Sequence, residues 1–113
     1  MTILYGIPNC DTVRKSRAWF DAQSMAYQFH DFKKQGVPAQ ALDQWIAALG
    51  WEALVNKKGA TWRKLDAAQQ ALVVNAASAK ALMLREPSVI KRPVVAQGAR
   101  VSVGFSPDAW TQG

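Results

Sequence analysis

The sequence predicts an α/β protein built on a mixed sheet, in which parallel and antiparallel strand pairs occur together. Two observations predict this class. An apolar strand at residues 2–6, a helix and a second strand follow one another, which is typical of a parallel β-α-β unit. Later in the chain, short apolar segments at residues 94–96 and 100–103 flank a Gln97-Gly98 turn and predict an antiparallel hairpin.

The first helix follows Cys10 directly and is predicted to extend to about Ser24. The second strand, residues 26–32, alternates along its length and is expected to be buried on at least one face. His30, the only histidine in the chain, lies in this strand and has no predicted acidic partner. We therefore interpret His30 as a structural or surface residue and not as a general base.

The middle of the chain is predicted to be helical. Pro38 suits the first turn of a helix, Trp45 belongs to the apolar stripe of that helix, and Gly50 is placed to end it. A polar and basic segment follows at residues 54–65, with Gly59 as a helix breaker.

A second helical region is rich in alanine. Asp66 and Gln69 form a predicted capping box at its start. The region is predicted to reach Arg85, with an interruption near residues 75–78, and Pro87 stops it.

A short helix at residues 107–110 follows the hairpin. The complete order is β-α-β, then helices, then β-β-α, which is the thioredoxin-like arrangement. At 113 residues the chain is long enough to bury a core without disulfides or metals, and a single domain is predicted.

The excess of basic residues favours anionic partners. Fourteen Lys and Arg residues against eight Asp and Glu residues give a net charge of +6 and a pI near 9.8. Such a surface attracts anions, including phosphates, nucleic acids and the carboxylates of glutathione. The basic residues are dispersed and no nucleic-acid-binding motif is recognised, so direct nucleic-acid binding is the weakest of the functional hypotheses.

The cysteine count and the hydropathy pattern indicate the compartment. One cysteine permits no disulfide within the chain, and no Cys or His spacing is typical of zinc. No apolar segment approaches the length of a membrane span, and no signal-peptide pattern is present. We therefore expect a cytoplasmic monomer with no metal, no bound cofactor and no membrane partner.

Cys10 is the main candidate for chemistry, because it lies where the first strand passes into the first helix. Unpaired backbone N–H groups and the positive end of the helix dipole favour the thiolate there, and the thiolate is the nucleophile. Asn9 and Thr12 are candidate hydrogen-bond donors to the sulfur. Arg14 or Lys15, if either turns back toward Cys10, would lower the pKa of the thiol further. The alternative is an inert structural cysteine.

The spacing around Cys10 predicts a monothiol mechanism. Val13 stands where a C-x-x-C motif would have its second cysteine. After Cys10 attacks a disulfide, an external thiol must therefore resolve the intermediate, and glutathione is the obvious candidate.

The segments Pro8-Asn9-Cys10-Asp11-Thr12-Val13-Arg14-Lys15, Lys91-Arg92-Pro93-Val94-Val95 and Arg100-Val101-Ser102-Val103-Gly104-Phe105 resemble the ArsC/Spx family. That family includes glutaredoxin-type arsenate reductases, Spx transcription regulators and YffB proteins, and the resemblance is greatest to the YffB branch. It implies a single thioredoxin-like domain over residues 1–113 with a helical insertion at approximately residues 38–86.

The resemblance also implies roles for individual residues. Cys10 would be the nucleophile. Arg92-Pro93 would be the cis-proline site beside the thiol, which presents backbone groups to a bound thiol substrate. Arg92 would bind a carboxylate or oxyanion next to the sulfur.

Two departures from the family pattern disfavour arsenate reduction as the activity. Arsenate reductases of this type use three arginines, of which Arg92 matches one. The second falls at Asn56 or its neighbours, where Lys57 and Lys58 are the only cations, and the third falls at residues 103–104. A lysine does not replace a bidentate guanidinium, so arsenate reduction is the less favoured activity.

The predicted function is therefore a monothiol oxidoreductase that uses glutathione, with Cys10 as catalytic residue and Asn9, Thr12, Arg14, Arg92 and Pro93 as substrate-binding residues. The alternative is a Spx-like regulator that binds RNA polymerase through the helical insertion and performs no catalysis. The C-x-x-C redox switch that is frequent in the Spx branch is absent from this chain.

Overall fold

Strand β1 occupies the interior of a mixed sheet. The computed structural model describes residues 1–111, and among these residues four strands form one sheet in the spatial order β2-β1-β3-β4. The strands are β1 (Thr2–Gly6), β2 (Gln28–Asp31), β3 (Val94–Gln97) and β4 (Arg100–Val103). Strand β1 pairs in parallel with β2 and antiparallel with β3, and β3 pairs antiparallel with β4. The predicted thioredoxin-like fold is confirmed.

The helices of the described chain vary from one turn to three turns in length. They are α1 (Asp11–Ala22), α2 (Phe32–Gln35), α3 (Ala39–Leu49), α4 (Trp51–Leu54), α5 (Ala60–Lys64), α6 (Ala67–Ala71), α7 (Ala76–Arg85) and α8 (Pro107–Trp110), with a 3₁₀ turn at Pro87–Val89 before β3. Within residues 1–111, none of these helices combines the length and apolar character that crossing a bilayer requires.

The chain divides into two compact units. The first consists of Met1–Gln35 together with the chain from Arg92 onward, and it contains the sheet, α1, α2 and α8. The second, Gly36–Lys91, contains α3 to α7. Its bounds lie a few residues outside the helical insertion expected at approximately residues 38–86.

The core of the first unit lies between α1 and the sheet. Leu4, Val13, Phe20, Val95 and Trp110 are almost completely buried in one cluster. The indole Nε1 of Trp110 donates a hydrogen bond to the Ser102 hydroxyl at 3.0 Å, so the buried ring keeps its polar atom satisfied.

Helix α1 lies unusually close to strand β1 at one point. A Cβ atom added to Gly6 would stand 2.7 Å from Cγ2 of Val13, a distance that real Cβ atoms do not reach. A side chain at Gly6 would therefore overlap Val13, and either the Val13 side chain or helix α1 would have to shift.

The second unit has its own buried core. Leu42 and Trp45 of α3 are buried, as are Leu82 and Met83 of α7. The apolar stripe predicted for α3 is thus confirmed, and Gly50 ends this helix with a φ of 82°.

Two predicted boundaries near α1 and β2 were too long. Helix α1 ends at Ala22, not at about Ser24, because Ser24 adopts a left-handed backbone with φ 54°. Strand β2 covers only Gln28–Asp31, and Phe32 begins helix α2. The Asp31 carboxylate accepts a hydrogen bond from the Lys33 N–H at 2.8 Å, which favours helix initiation at that point.

The predicted capping box at Asp66 and Gln69 is confirmed. The interruption predicted near residues 75–78 lies earlier, at residues 72–75, because Asn75 and Ser78 form a second capping box that starts α7. In the same unit, α4 and α5 were not predicted. Each is only four or five residues long and lacks a side-chain N-cap.

The turn of the predicted hairpin lies one residue later in the structure. Gln97 belongs to β3 and pairs with Arg100 of β4, so the turn is Gly98-Ala99 and not Gln97-Gly98. Gly98 has a φ of 62°, which a two-residue hairpin turn requires. The short helix predicted at residues 107–110 is confirmed as α8.

The contact between Gly6 and Val13 gives a first testable prediction. Gly6→Ala is expected to lower the free energy of unfolding by about 1–3 kcal/mol, because the added methyl group overlaps a buried side chain. Val13→Ala alone should cost about 2 kcal/mol through lost burial. The double variant should lose less than the sum, since each change relieves the other. Urea denaturation of the four proteins measures this coupling, and strictly additive losses would contradict the close contact.

Candidate active site

Cys10 occupies the N-cap position of helix α1. Its backbone is extended, with φ −112° and ψ 127°, and its carbonyl accepts the first helical hydrogen bond from the Arg14 N–H at 2.9 Å. The thiol therefore stands at the helix N-terminus, where the first N–H groups have no partner within the helix. This position is the one predicted from the sequence.

The surroundings of Cys10 act on its pKa in opposite directions. Partial burial alone would raise the pKa of the thiol. The backbone N–H of Val13 lowers it, as do the hydrogen bond and positive charge of Arg92 and the backbone N–H of Thr12. The combined effect lowers the pKa of Cys10 below its ordinary value, which increases the share of the reactive thiolate.

The Cys10 side chain caps the helix differently from a serine or aspartate. It makes no side-chain cap hydrogen bond of the usual kind. A neutral thiol is a weak acceptor, whereas a thiolate accepts readily from N–H groups that point toward it. The donors at Thr12 and Val13 therefore act mainly on the ionised form, and this difference lowers the pKa of the thiol.

The pairing of β3 with β1 brings Arg92 to the thiol. Val94, the first residue of β3, pairs with Tyr5 near the end of β1, so the chain just before β3 lies beside the turn that carries Cys10. The Arg92-Pro93 peptide bond is cis, as the family resemblance implies. The Pro93 carbonyl accepts a hydrogen bond from the Gly104 N–H at 2.8 Å, which ties this loop to the chain that follows β4.

The structure thus brings Cys10, the Thr12 backbone and the Arg92-Pro93 pair together. It places the Arg14 guanidinium elsewhere, in an ion pair with Asp11 at 2.6 Å on the exposed side of the helix. Asn9 is exposed in the turn that precedes Cys10.

Two contacts near the site were not predicted. Val13 is the third residue of the helix, and an N-cap side chain commonly accepts a hydrogen bond from the N–H at that position. The helix start predicted from the sequence could therefore have identified the Val13 N–H as a donor to Cys10. The Lys15 ammonium lies 4.1 Å from the centroid of the Phe105 ring. No sequence pattern indicates that contact, because the two residues belong to distant segments.

The other candidate groups fall outside the thiol site. The His30 ring packs against the Tyr5 ring at an interplanar angle of 46°, with 4.9 Å between the centroids, as expected for a structural residue. Among residues 1–111, no group of three or more His, Cys, Asp or Glu side chains could hold a metal ion.

The profile of the ArsC family matches residues 5–112. The chain belongs to the ArsC family. Among solved structures, a YffB protein is 48% identical to this ArsC-family chain, with a TM-score of 0.92 over 97% of this chain and 96% of the other. An arsenate reductase (ArsC) related protein from Brucella melitensis is 43% identical, with a TM-score of 0.76 over 96% of this chain and 90% of the other.

Relatives identified by sequence agree with this ArsC-family assignment. An uncharacterized protein of Haemophilus influenzae is 35% identical over 94% of this chain and 92% of its own length. A global transcriptional regulator Spx of Streptococcus mutans is 26% identical over 96% of this chain and 79% of its own length. The fold is therefore the thiol-oxidoreductase-like fold of the ArsC family, as the resemblance implies.

The groups around Cys10 give a second testable prediction. The rate of Cys10 alkylation should follow a titration whose pKa lies below that of the same cysteine in the unfolded chain. Arg92→Met should raise that pKa, because it removes both a hydrogen bond and a positive charge from the sulfur. Arg14→Met removes the same charge from the helix surface and serves as the matched control. An equal rise in both variants would contradict a specific effect of Arg92.

A pH dependence of stability follows from the same shift. Because the pKa of Cys10 is lower in the folded protein than in the unfolded chain, the unfolded chain binds more protons between the two pKa values. The free energy of unfolding should therefore rise with pH across this interval in the wild type, and less so in Cys10→Ser. Denaturant titrations of the two proteins over this pH range measure the difference.

Proposed function

We propose that this protein is a monothiol oxidoreductase that reduces disulfides, with Cys10 as nucleophile and glutathione as co-substrate. The observation that supports this most directly is the lowered pKa of Cys10, which arises from the N–H groups of α1 and the guanidinium of Arg92. A thiol placed in this way at a helix N-terminus, partly exposed and facing a cation, is suited to nucleophilic attack.

The proposed reaction has two exchange steps. The Cys10 thiolate attacks the glutathione sulfur of a substrate–glutathione mixed disulfide, and the S–S bond breaks to release the substrate thiolate, which takes a proton from water. A second glutathione, as thiolate, then attacks the Cys10–glutathione disulfide. This step releases oxidised glutathione and restores the Cys10 thiolate. Overall, one free glutathione thiol is consumed, the substrate is released as a thiol, and the disulfide bond leaves in oxidised glutathione.

Arg92 and Pro93 have distinct roles in this proposal. The Arg92 guanidinium stabilises the thiolate of Cys10 both as attacking group and as leaving group. The Pro93 carbonyl accepts a hydrogen bond from the Gly104 N–H, which holds the loop that carries Arg92, and Pro93 is proposed to contact the bound thiol substrate. The absence of a second cysteine in the sequence requires the external thiol.

Arsenate reduction is the less favoured activity in this proposal. The last arginine of the arsenate reductases would fall at Val103-Gly104, where this chain has a strand residue paired with Val94 and a glycine with φ 84°. At the other position, Lys57 lies against the indole rings of Trp51 and Trp62, with centroid distances of 5.8 and 5.3 Å. A lysine there offers one point charge and no fork for an oxyanion.

A regulator of the Spx kind is the second candidate. Its support is the alignment of 96% of this chain with proteins named global transcriptional regulator Spx. In this proposal the unit Gly36–Lys91 binds RNA polymerase, and the thiol performs no chemistry. Binding of purified RNA polymerase by both the wild type and Cys10→Ser, without any reductase activity in either, would favour this candidate.

Reductase assays give a third testable prediction. With a glutathionylated peptide and glutathione, the wild type should turn over, and Cys10→Ser should show only the uncatalysed rate, because no other thiol exists in the chain. Arg92→Met should lower kcat/KM by about 10- to 100-fold, the effect of one charged hydrogen bond.

Mass spectrometry gives an independent measurement of the same chemistry. After exposure to oxidised glutathione, Cys10 should carry one glutathione, and added glutathione should remove it. If the wild type forms no glutathione adduct and shows no turnover, the proposed reductase function is excluded. Arsenite production from arsenate under the same conditions would instead assign the protein to the arsenate reductases.

A further inference from the structure

Lys15 presents an exposed positive charge near the thiol site. It lies on α1, and its ammonium group stands 4.1 Å from the centroid of the Phe105 ring, within cation–π distance. Within residues 1–111, Lys15 takes part in no ion pair, whereas the neighbouring Arg14 is paired with Asp11. Among the described residues, Lys15 is therefore an exposed cation of α1 without a carboxylate partner, whereas Arg17 on the same helix is hydrogen-bonded to the Tyr27 hydroxyl at 3.0 Å.

The Phe105 ring connects Lys15 to the surface around Cys10. Both Phe105 and Cys10 pack against the same buried cluster. Gly104 precedes Phe105 and is hydrogen-bonded to the carbonyl of Pro93, which follows the arginine that contacts the sulfur. These residues form one continuous strip, which we call the thiol strip: Cys10, Arg92, Pro93, Gly104 and Phe105.

The thiol strip leaves room for a ligand at Gly104. A Cβ atom built on this residue would have no heavy atom within 4 Å, so the surface there is open. A substrate whose sulfur contacts Cys10 can therefore extend along the strip toward Phe105 without meeting a side chain at Gly104.

The separation of Cys10 and Lys15 along α1 is comparable to the length of a short peptide. Lys15 follows Cys10 by five residues, which is about 7.5 Å along the helix axis. An extended peptide covers at most about 3.3–3.6 Å per residue. About two extended residues therefore span the axial separation between Cys10 and Lys15. Glutathione has a carboxylate on each side of its cysteine.

We infer that Lys15, held over Phe105, binds a carboxylate of the glutathione moiety and makes the site prefer glutathione disulfides to uncharged disulfides. This inference rests on the proposed function and adds a substrate-binding residue to it. Arg92 acts at the sulfur, and Lys15 acts at the far end of the same small molecule. The resulting selectivity is electrostatic, so it should weaken as the salt concentration rises.

The test compares two disulfides that differ in charge. The second-order rate of mixed-disulfide formation at Cys10 is measured with glutathione disulfide and with bis(2-hydroxyethyl) disulfide, and the ratio of the two rates is the readout. Lys15→Met should lower this ratio by about two- to fivefold, as expected for one exposed charge pair. Lys15→Arg should restore it. Lys33→Met removes an exposed lysine from α2 of the same unit and should leave the ratio unchanged.

The outcomes separate the two proposals. A wild type that forms no adduct with glutathione disulfide overturns both. A wild type that reacts and turns over, with the same ratio in Lys15→Met, overturns the role of Lys15 and leaves the reductase proposal intact. Equal losses in Lys15→Met and Lys33→Met indicate a nonspecific charge effect and also overturn it.

Discussion

The close approach of helix α1 to strand β1 determines the geometry on which the rest of the site depends. Gly6 lacks a side chain, and Val13 fills the space that a side chain would need. With α1 held against the sheet, its N-terminus opens at the end of β1, and the turn between them has to place Cys10 at the helix cap. The antiparallel pairing of β3 with β1 then brings Arg92 to the same end of the sheet.

At the sulfur, backbone groups and one side chain oppose the effect of burial. Cys10 packs against apolar residues, and burial alone would keep the thiol protonated. The opposing donors at Thr12 and Val13 are backbone N–H groups, which exist for any residue at those positions once the helix has formed. Arg92 is the one side chain in this set, and therefore the one whose substitution changes the thiol without changing the helix. The pairing of Asp11 with Arg14 also leaves little net charge on the exposed side of the first turn.

The sequence predicted the features that depend on local signals. The capping box at Asp66 and Gln69, the hairpin after Pro93 and the helix start at Cys10 are each encoded within a few residues. Helices α4 and α5 were missed, because one-turn helices without side-chain caps depend on the surrounding chain and not on their own propensity. Asn75 and Ser78 carry a capping signal of their own, which marks the start of α7 and not an interruption of a helix.

The residues of the site also differ in whether nearby sequence or distant contacts determine their positions. Cys10 and its helix-terminal donors were predictable from the strand-to-helix junction. Arg92 was expected only from the family resemblance, since no local pattern shows that it pairs across the sheet with the end of β1. The final contacts of Arg14 and Lys15 depend on side-chain partners, Asp11 and Phe105, that residue spacing does not determine.

The cap position of Cys10 has a consequence for any disulfide that this residue forms. Once the sulfur is bonded to a second sulfur it carries no charge, and the donors at Thr12, Val13 and Arg92 lose the anion that they stabilise. Breaking that bond at Cys10 restores the anion, and a thiol with a lowered pKa is the better leaving group in such an exchange. In the proposed reductase, which has no second cysteine, this property favours the release of the bound thiol and the return of Cys10 to its reduced form.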